Sequence, residues 1–217
     1  MTLADAGHSA LMDRVYRNQR HIYDLTRAYY LLGRDRLIAG LHAPSRARIL
    51  EVGCGTGRNL VAAARAFPQA QIFGMDISSE MLASAGSAVY RARLEQRANL
   101  AQGDAADFDP ARAYGVTNFD RIFMSYTLSM IPDWQAAIEQ AMANLAPGGS
   151  LHIVDFGQQE RLPRWFRALL FKWLAIFHVA PRADLRHVLT RIANAHGAAL
   201  DIRPLYRGYT WMAVLRR

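Results

Sequence analysis

The stretch "ARILEVGCGTGRN" (47–59) decides the reading of this 217-residue chain. Its first half is a short apolar run, and its second half places glycine at 53, 55 and 57. Glycines directly after a strand let the backbone turn sharply, and they let a ligand press against main-chain N–H groups at the start of the next helix. The dinucleotide pattern G-x-G-x-x-G would need a glycine at 58, where Arg58 stands. Glu51, just ahead of the glycines, adds a carboxylate that can receive a cationic amino-acid tail through a water or a backbone relay.

Working outward, strand and helix patterns alternate. "NLVAAARAF" (59–67) reads as a helix ended by Pro68, "QIFGMDI" (71–77) as a strand, and "SEMLASAGSAVYRARLEQ" (79–96) as a helix capped by Ser78 or Ser79. "ANLAQGD" (98–104) and "FDRIFMSYTL" (119–128) are further strands. A helix near 133–145, a Pro147-Gly148-Gly149 turn and a fifth strand, "SLHIVDFG" (150–157), follow. The tail adds helices near 163–178 and 184–196, then two strands near 199–205 and 209–215 that predict an antiparallel hairpin at the sheet edge. Such alternation predicts an α/β fold, a mostly parallel sheet with helices on both faces.

Two further acids stand at strand ends. Asp76 lies 19 residues after Gly57, where a carboxylate accepts both hydroxyls of a ribose and argues against a 2′-phosphate. Asp104 can accept a proton from an adenine amino group. "FMSYTLSM" (123–130) would line the reactive end of the bound molecule. Together these motifs resemble the class I S-adenosylmethionine-dependent methyltransferases, over roughly residues 47–157 and the tail strands. The resemblance implies a Rossmann-like, seven-stranded fold that binds S-adenosylmethionine. It implies Gly53, Gly55 and Gly57 around the methionine end, with Glu51 and Ser125 also on the cofactor side. It implies Asp76 on the ribose with Ile77 and Met81 near it, and Asp104 with Ala105 at the adenine.

Composition bounds the rest. Apolar residues make up 52 % of the chain, ample for a packed core. The absence of an early apolar run predicts no signal peptide, and no uncharged stretch is long enough to predict a spanning helix. A single cysteine, Cys54, excludes an intramolecular disulfide and fits a reducing cytoplasm. No dedicated catalytic metal is expected. Net charge is +4 over residues 1–50, −5 over 51–160 and +9 over 161–217. That asymmetry points to an anionic partner met by the end segments, set against the plainer reading of an arginine-rich composition. Nucleic acid is the weaker candidate. Ser125-Tyr126-Thr127-Leu128 stands where amino-methylating enzymes of DNA bases carry a small polar residue, Pro-Pro and an aromatic. No base-stacking motif is present either.

Both ends carry patterned helices. At helical spacing Tyr16, Tyr23 and Tyr30 share one face with Arg20, Arg27 and Arg34, each arginine four residues after a tyrosine. Residues 1–46 are therefore read as a helical lid that binds the acceptor, ahead of a methyltransferase domain over 47–217. In "RLPRWFRALLFKWLAIFHVAPR" (161–182), aromatic and aliphatic residues recur at the spacing of one helix face among Arg161, Arg164, Arg167 and Lys172. That pattern suits either a helix in a bilayer interface or an ordinary packed helix of the fold.

The segments 12–38 and 162–182 are similar to the bacterial N-methyltransferases of betaine-lipid synthesis. This narrower resemblance implies three successive methylations of diacylglyceryl-homoserine at the inner face of the membrane, by a peripheral cytoplasmic enzyme that follows a preceding lipid-pathway enzyme. Tyr23 and Tyr126 are then expected as catalytic groups holding the nitrogen in line with the methyl. Tyr16, Arg27, Tyr30 and Arg34 are expected to bind the head group, Arg27 pairing with its carboxylate or a phosphate. The same chemistry on phosphatidylethanolamine, a soluble small-molecule methyltransferase and a non-enzymatic binding module are the alternatives.

Overall fold

The computed structural model describes residues 31–177 and 179–217. It forms one seven-stranded sheet in the order β3-β2-β1-β4-β5-β7-β6. The strands are β1 (Arg48–Val52), β2 (Gln71–Asp76), β3 (Ala98–Gln102), β4 (Phe119–Ser125), β5 (Leu145–Phe156), β6 (Ala199–Leu205) and β7 (Thr210–Arg216). β1 to β5 pair in parallel, and β7 runs antiparallel between β5 and β6. The expected edge hairpin is therefore present, with its second strand turned inward against β5.

The helices are α1 (Arg34–Ala39), α2 (Arg58–Ala66), α3 (Ser79–Arg91), α4 (Pro110–Tyr114), α5 (Trp134–Ala143), α6 (Arg164–Ile176) and α7 (Leu185–Ala195). Alternate residues of a strand point to opposite faces. Leu50 and Val52 accordingly join a core built with α5 and α7, while Ile49 joins a second core built with α1, α2, α3 and α6. The apolar runs of the central strands are buried on both sides, which is why they lack a polar alternation.

Several boundaries differ from the sequence reading: α3 ends at Arg91 rather than at 96, β4 ends at Ser125 rather than at 128, and the short helix α4 is additional. β5 begins at Leu145, so the Pro-Gly-Gly turn lies inside the strand as an irregularity, where its register with β4 shifts. The N-terminal helical pattern does not run unbroken to residue 38. Gly33 takes φ 89°, a left-handed conformation, and α1 starts afresh at Arg34. Leu31, Leu37, Ile38 and Leu41 are buried in the second core, which fastens residues 31–41 to the sheet.

Candidate active site

The C-terminal ends of β1, β2 and β4 meet at the glycine loop. Gly53, Gly55 and Gly57 all take positive φ (72°, 52° and 79°). Gly57 precedes α2, and a Cβ there would stand 3.0 Å from the Ala85 Cα of α3, so the loop lies directly against that helix. The post-β4 segment closes on the same loop: a Cβ on Gly53 would sit 2.3 Å from Thr127 Cγ2. Thr127 also donates its hydroxyl to the Val52 carbonyl at 3.2 Å.

Glu51 is 1 % exposed. Asn59 Nδ2 donates to its Oε1 at 2.9 Å, whereas Oε2 has no hydrogen-bond partner among the described residues. Burial, reinforced by the Asp76 charge, pushes its pKa up to about 8, against the Asn59 bond, the Arg34 charge and the Leu60 backbone N–H that lower it. A buried carboxylate oxygen left without a donor is costly. It is a ready receptor for a ligand ammonium, and the methionine end of S-adenosylmethionine carries one. The donor set therefore fits that cofactor at the position expected for Glu51.

Asp76 ends β2. Its two oxygens accept the N–H groups of Ser78 (3.0 Å) and Gly55 (2.8 Å), which ties the glycine loop to the turn before α3. Ser78 caps α3 by accepting from Met81 N at 3.3 Å, Met81 is buried, and the Ile77 carbonyl accepts from Gln102 Nε2 at 2.9 Å. Asp104 Oδ1 accepts from Ala106 N at 2.8 Å and shapes a tight turn in which Ala105 packs against the core. At the end of β4, Ser125 Oγ is buried with no hydrogen-bond partner among the described residues. The cofactor-side residues named from the sequence thus gather along one edge of the sheet.

The acceptor side differs from its reading. Tyr16, Tyr23, Arg27 and Tyr30 lie outside the described residues. Arg34 is 9 % exposed rather than on an outward stripe, and its charge reaches Glu51. Its Nε donates to the Leu31 carbonyl at 3.2 Å. The break at Gly33 causes this, because it turns the first residue of α1 inward. Arg34 is thus a buried cation whose charge acts on Glu51, and not the exposed stripe residue expected from its spacing.

Tyr126 is also placed differently. It takes φ 57°, is 2 % exposed, and donates its hydroxyl to the Leu32 carbonyl at 2.6 Å while pairing with Thr210 Oγ1 at 2.7 Å. Burial raises its pKa, so it stays protonated. These contacts give Tyr126 a bracing role between β4, β7 and residue 32 and argue against a catalytic one. Tyr126→Phe should lower unfolding free energy by about 1–3 kcal/mol, because the buried Thr210 hydroxyl and the half-buried Leu32 carbonyl lose their bond, while methyl-transfer turnover at saturating substrate stays near the parent. Denaturant melts with turnover assays check this; a large kcat loss at unchanged stability would restore the catalytic assignment.

Sequence reasoning missed the brace under the post-β4 loop. Asp155, 2 % exposed at the end of β5, accepts from Ser129 N at 3.1 Å and Phe156 N at 2.7 Å. Burial is the main cause that pushes its pKa up to about 6. Arg182 donates to the carbonyls of Leu128 (2.9 Å) and Ile131 (2.6 Å), and Ala180 N donates to the Ser129 carbonyl at 2.8 Å. Asp155 had a visible signal, an acid closing an apolar strand. Arg182 had none. Over this loop Met81, Met130 and Phe177 form a separate apolar cluster, which brings the end of α6 against the cofactor edge.

A sheet of this order, with a glycine loop after its first strand and acids at its strand ends, has the Rossmann-like fold of the class I S-adenosylmethionine-dependent methyltransferases, and the chain is similar to them. The family described as "Methyltransferase domain" matches residues 50–151. Trans-aconitate 2-methyltransferase of Variovorax paradoxus (strain S110) is 34 % identical over 136 residues, 62 % of this chain and 49 % of that protein. The 27-O-demethylrifamycin SV methyltransferase of Amycolatopsis mediterranei (strain S699) is 30 % identical over 122 residues, 56 % of this chain and 43 % of that protein. The chain thus spans about half the length of these curated relatives, or less. Among solved structures, an O-methyltransferase family protein from Burkholderia thailandensis superposes with a TM-score of 0.73 at 17 % identity, covering 94 % of this chain and 61 % of the other. Magnesium protoporphyrin IX methyltransferase from Synechocystis PCC 6803, with bound SAH, superposes at 0.69 and 14 % identity, covering 100 % and 99 %. The betaine-lipid resemblance has no counterpart among these relatives. No helix among the described residues is long and apolar enough to cross a membrane.

Proposed function

We propose that this protein is an S-adenosylmethionine-dependent N-methyltransferase whose acceptor is the amino head group of a membrane lipid, diacylglyceryl-homoserine first among them. The observation that carries the reading is the Met81–Met130–Phe177 roof. It sets α6, an aromatic and basic helix, at the cofactor edge, where an acceptor with apolar chains could approach. S-adenosylmethionine supplies an already activated methyl group when bound. The chain's part is alignment and exclusion of water, worth roughly 7–11 kcal/mol for well-oriented partners. The acceptor nitrogen must arrive as the free base, and the proton lost before each further transfer leaves the site. A peripheral position at the inner face of the membrane belongs to the same proposal, as does phosphatidylethanolamine as the alternative acceptor.

A second reading is favoured by the curated relatives: methylation of a small soluble acid, since the Variovorax protein is named trans-aconitate 2-methyltransferase. One experiment separates them. The protein is expressed in a host lacking betaine lipids, with and without a source of diacylglyceryl-homoserine, and lipids are analysed by mass spectrometry. A gain of three methyl groups on a phosphorus-free lipid is expected. A phosphorus-containing methylated lipid would move the acceptor to phosphatidylethanolamine. No methylated lipid, with methyl ester formed from trans-aconitate by the purified protein, would establish the second reading instead.

A further inference from the structure

We infer that the outer face of α6 is a docking surface for an anionic lipid bilayer, with the helix lying in the plane of the interface. The inference deepens the lipid-acceptor reading but stands on separate observations. α6 is apolar on two sides. Its inner residues Phe166, Leu170, Trp173 and Leu174 pack into the second core. Its outer residues Trp165, Leu169 and Ile176 are 70 %, 62 % and 68 % exposed, three of the five large exposed hydrophobics among the described residues. At about 100° per residue these three fall within about 40° of one another, so they form one stripe. A fold needs only one apolar face on a surface helix, and the second calls for a partner.

The charge around the stripe identifies that partner. Between Glu160 and Asp184 the chain has no acid, and it carries Arg161, Arg164, Arg167, Lys172 and Arg182. Arg161, Arg164, Arg167 and Lys172 are exposed. A second copy of this chain is a poor occupant, because a two-fold contact would set this cationic patch against itself. An anionic surface that also accepts indole and aliphatic side chains fits both halves of the pattern. The stripe is about 16 Å long, roughly half the hydrocarbon thickness of a bilayer, so it suits a helix lying in the interface and not one spanning it. Docked this way, α6 presents its C-terminal end, Phe177, at the cofactor edge, so the acceptor need not leave the bilayer to reach the site.

The test is flotation of the full chain with phosphatidylglycerol/phosphatidylcholine vesicles and with pure phosphatidylcholine vesicles, without cofactor or acceptor. Binding to the anionic vesicles alone, weakened by salt, is expected. The triple variant Trp165→Ala/Leu169→Ala/Ile176→Ala should bind at least about tenfold more weakly. Arg164→Gln and Arg167→Gln should each cost roughly fivefold, the equivalent of about 1 kcal/mol per cation at an anionic surface. Tyr90→Ala, equally exposed on α3, should change nothing. All of these side chains are exposed, so thermal melts should match the parent and separate lost docking from lost folding. No binding by the parent, unchanged binding by the triple variant, or a parent dimer that the triple variant dissociates would each overturn the inference. Because no methyl transfer is read, vesicle binding without lipid methylation would sink only the acceptor reading, and methylation without vesicle binding only this one.

Discussion

Changing Glu51 to Gln should abolish the pH dependence of S-adenosylmethionine binding and weaken it about 10- to 100-fold near neutral pH, the worth of one charge-assisted hydrogen bond. The sign follows from burial. Without ligand the Glu51 carboxyl titrates at about 8, against an ordinary value of 4.5. Its neutral form therefore favours the fold fully at pH values below the ordinary one, and that contribution is lost as pH rises through about 8. An ammonium held at Oε2 would reverse the preference, so the carboxyl would give up its proton on binding. Affinity should accordingly rise by up to about tenfold per pH unit on approaching pH 8 and then level off, with release of roughly one proton at pH 7. Calorimetry in buffers of different ionisation enthalpy measures that proton directly. In Glu51→Gln both the release and the slope should vanish. Binding of 5′-methylthioadenosine, which lacks the amino-acid tail, should be nearly unaffected in either protein. Equal losses for both ligands would assign Glu51 to the shape of the loop and not to the tail. Arg34→Ala should move the titration further upward, since its charge is among the causes that hold Glu51 down.

Gly157→Ala should be among the most destabilising single methyl additions in the chain. A Cβ there would stand 2.1 Å from the Gly208 carbonyl oxygen and 3.0 Å from its carbonyl carbon, backbone atoms that cannot rotate away, and 3.0 Å from the Trp211 side chain at Cδ1. The residues on each side are laced together. Gly157 N donates to the Tyr209 carbonyl at 2.9 Å, Gln159 N to Gly208 O at 3.0 Å and Arg161 N to Arg207 O at 3.1 Å. Gln159 Nε2 adds bonds to the carbonyls of Gly157 and Tyr209, both at 3.1 Å. Relieving the clash must part these two segments. A loss of about 3 kcal/mol, the upper range for overpacking, is expected, which corresponds to a melting temperature lower by roughly 6–12 °C for a domain of this size. Differential scanning calorimetry measures it. A melt within a degree or so of the parent would mean that the two segments can separate at no cost.

The frame of the molecule was legible because its signals are local. The alternation of apolar runs with longer helical patterns is a matter of period. The strand-end positions of Glu51, Asp76 and Asp104 can be counted from the glycines of residues 53–57, since a short turn joins a strand to its ligand loop within a few residues. The same counting failed at Arg34 and Tyr126. Read as one continuous helix, 12–38 carries Arg34 outward on the tyrosine side. In the fold, Val154 Cγ2, Leu205 Cδ1 and Thr210 Cγ2 lie only 3.3–3.6 Å from where a Gly33 Cβ would be, so the chain bends there and Arg34 turns towards Glu51. Tyr126 stands where an acceptor-side residue is expected, yet its hydroxyl is held by Leu32 and Thr210, 94 and 84 residues away in the chain.

By itself, then, the sequence determined the strand and helix order, the glycine loop and the acids placed at the strand ends beside it, because each depends on neighbours a few residues apart. Tertiary structure alone decided which carboxylate oxygen is left without a donor, which tyrosine braces the sheet, and which side of α6 the fold leaves uncovered. Those properties belong to contacts between distant segments: Glu51 against Asn59 and Arg34, residue 126 against residues 32 and 210, and Phe166 to Leu174 against the core. Periodicity marks a helix as apolar, but only the packed neighbours determine how much of that apolar surface is already covered.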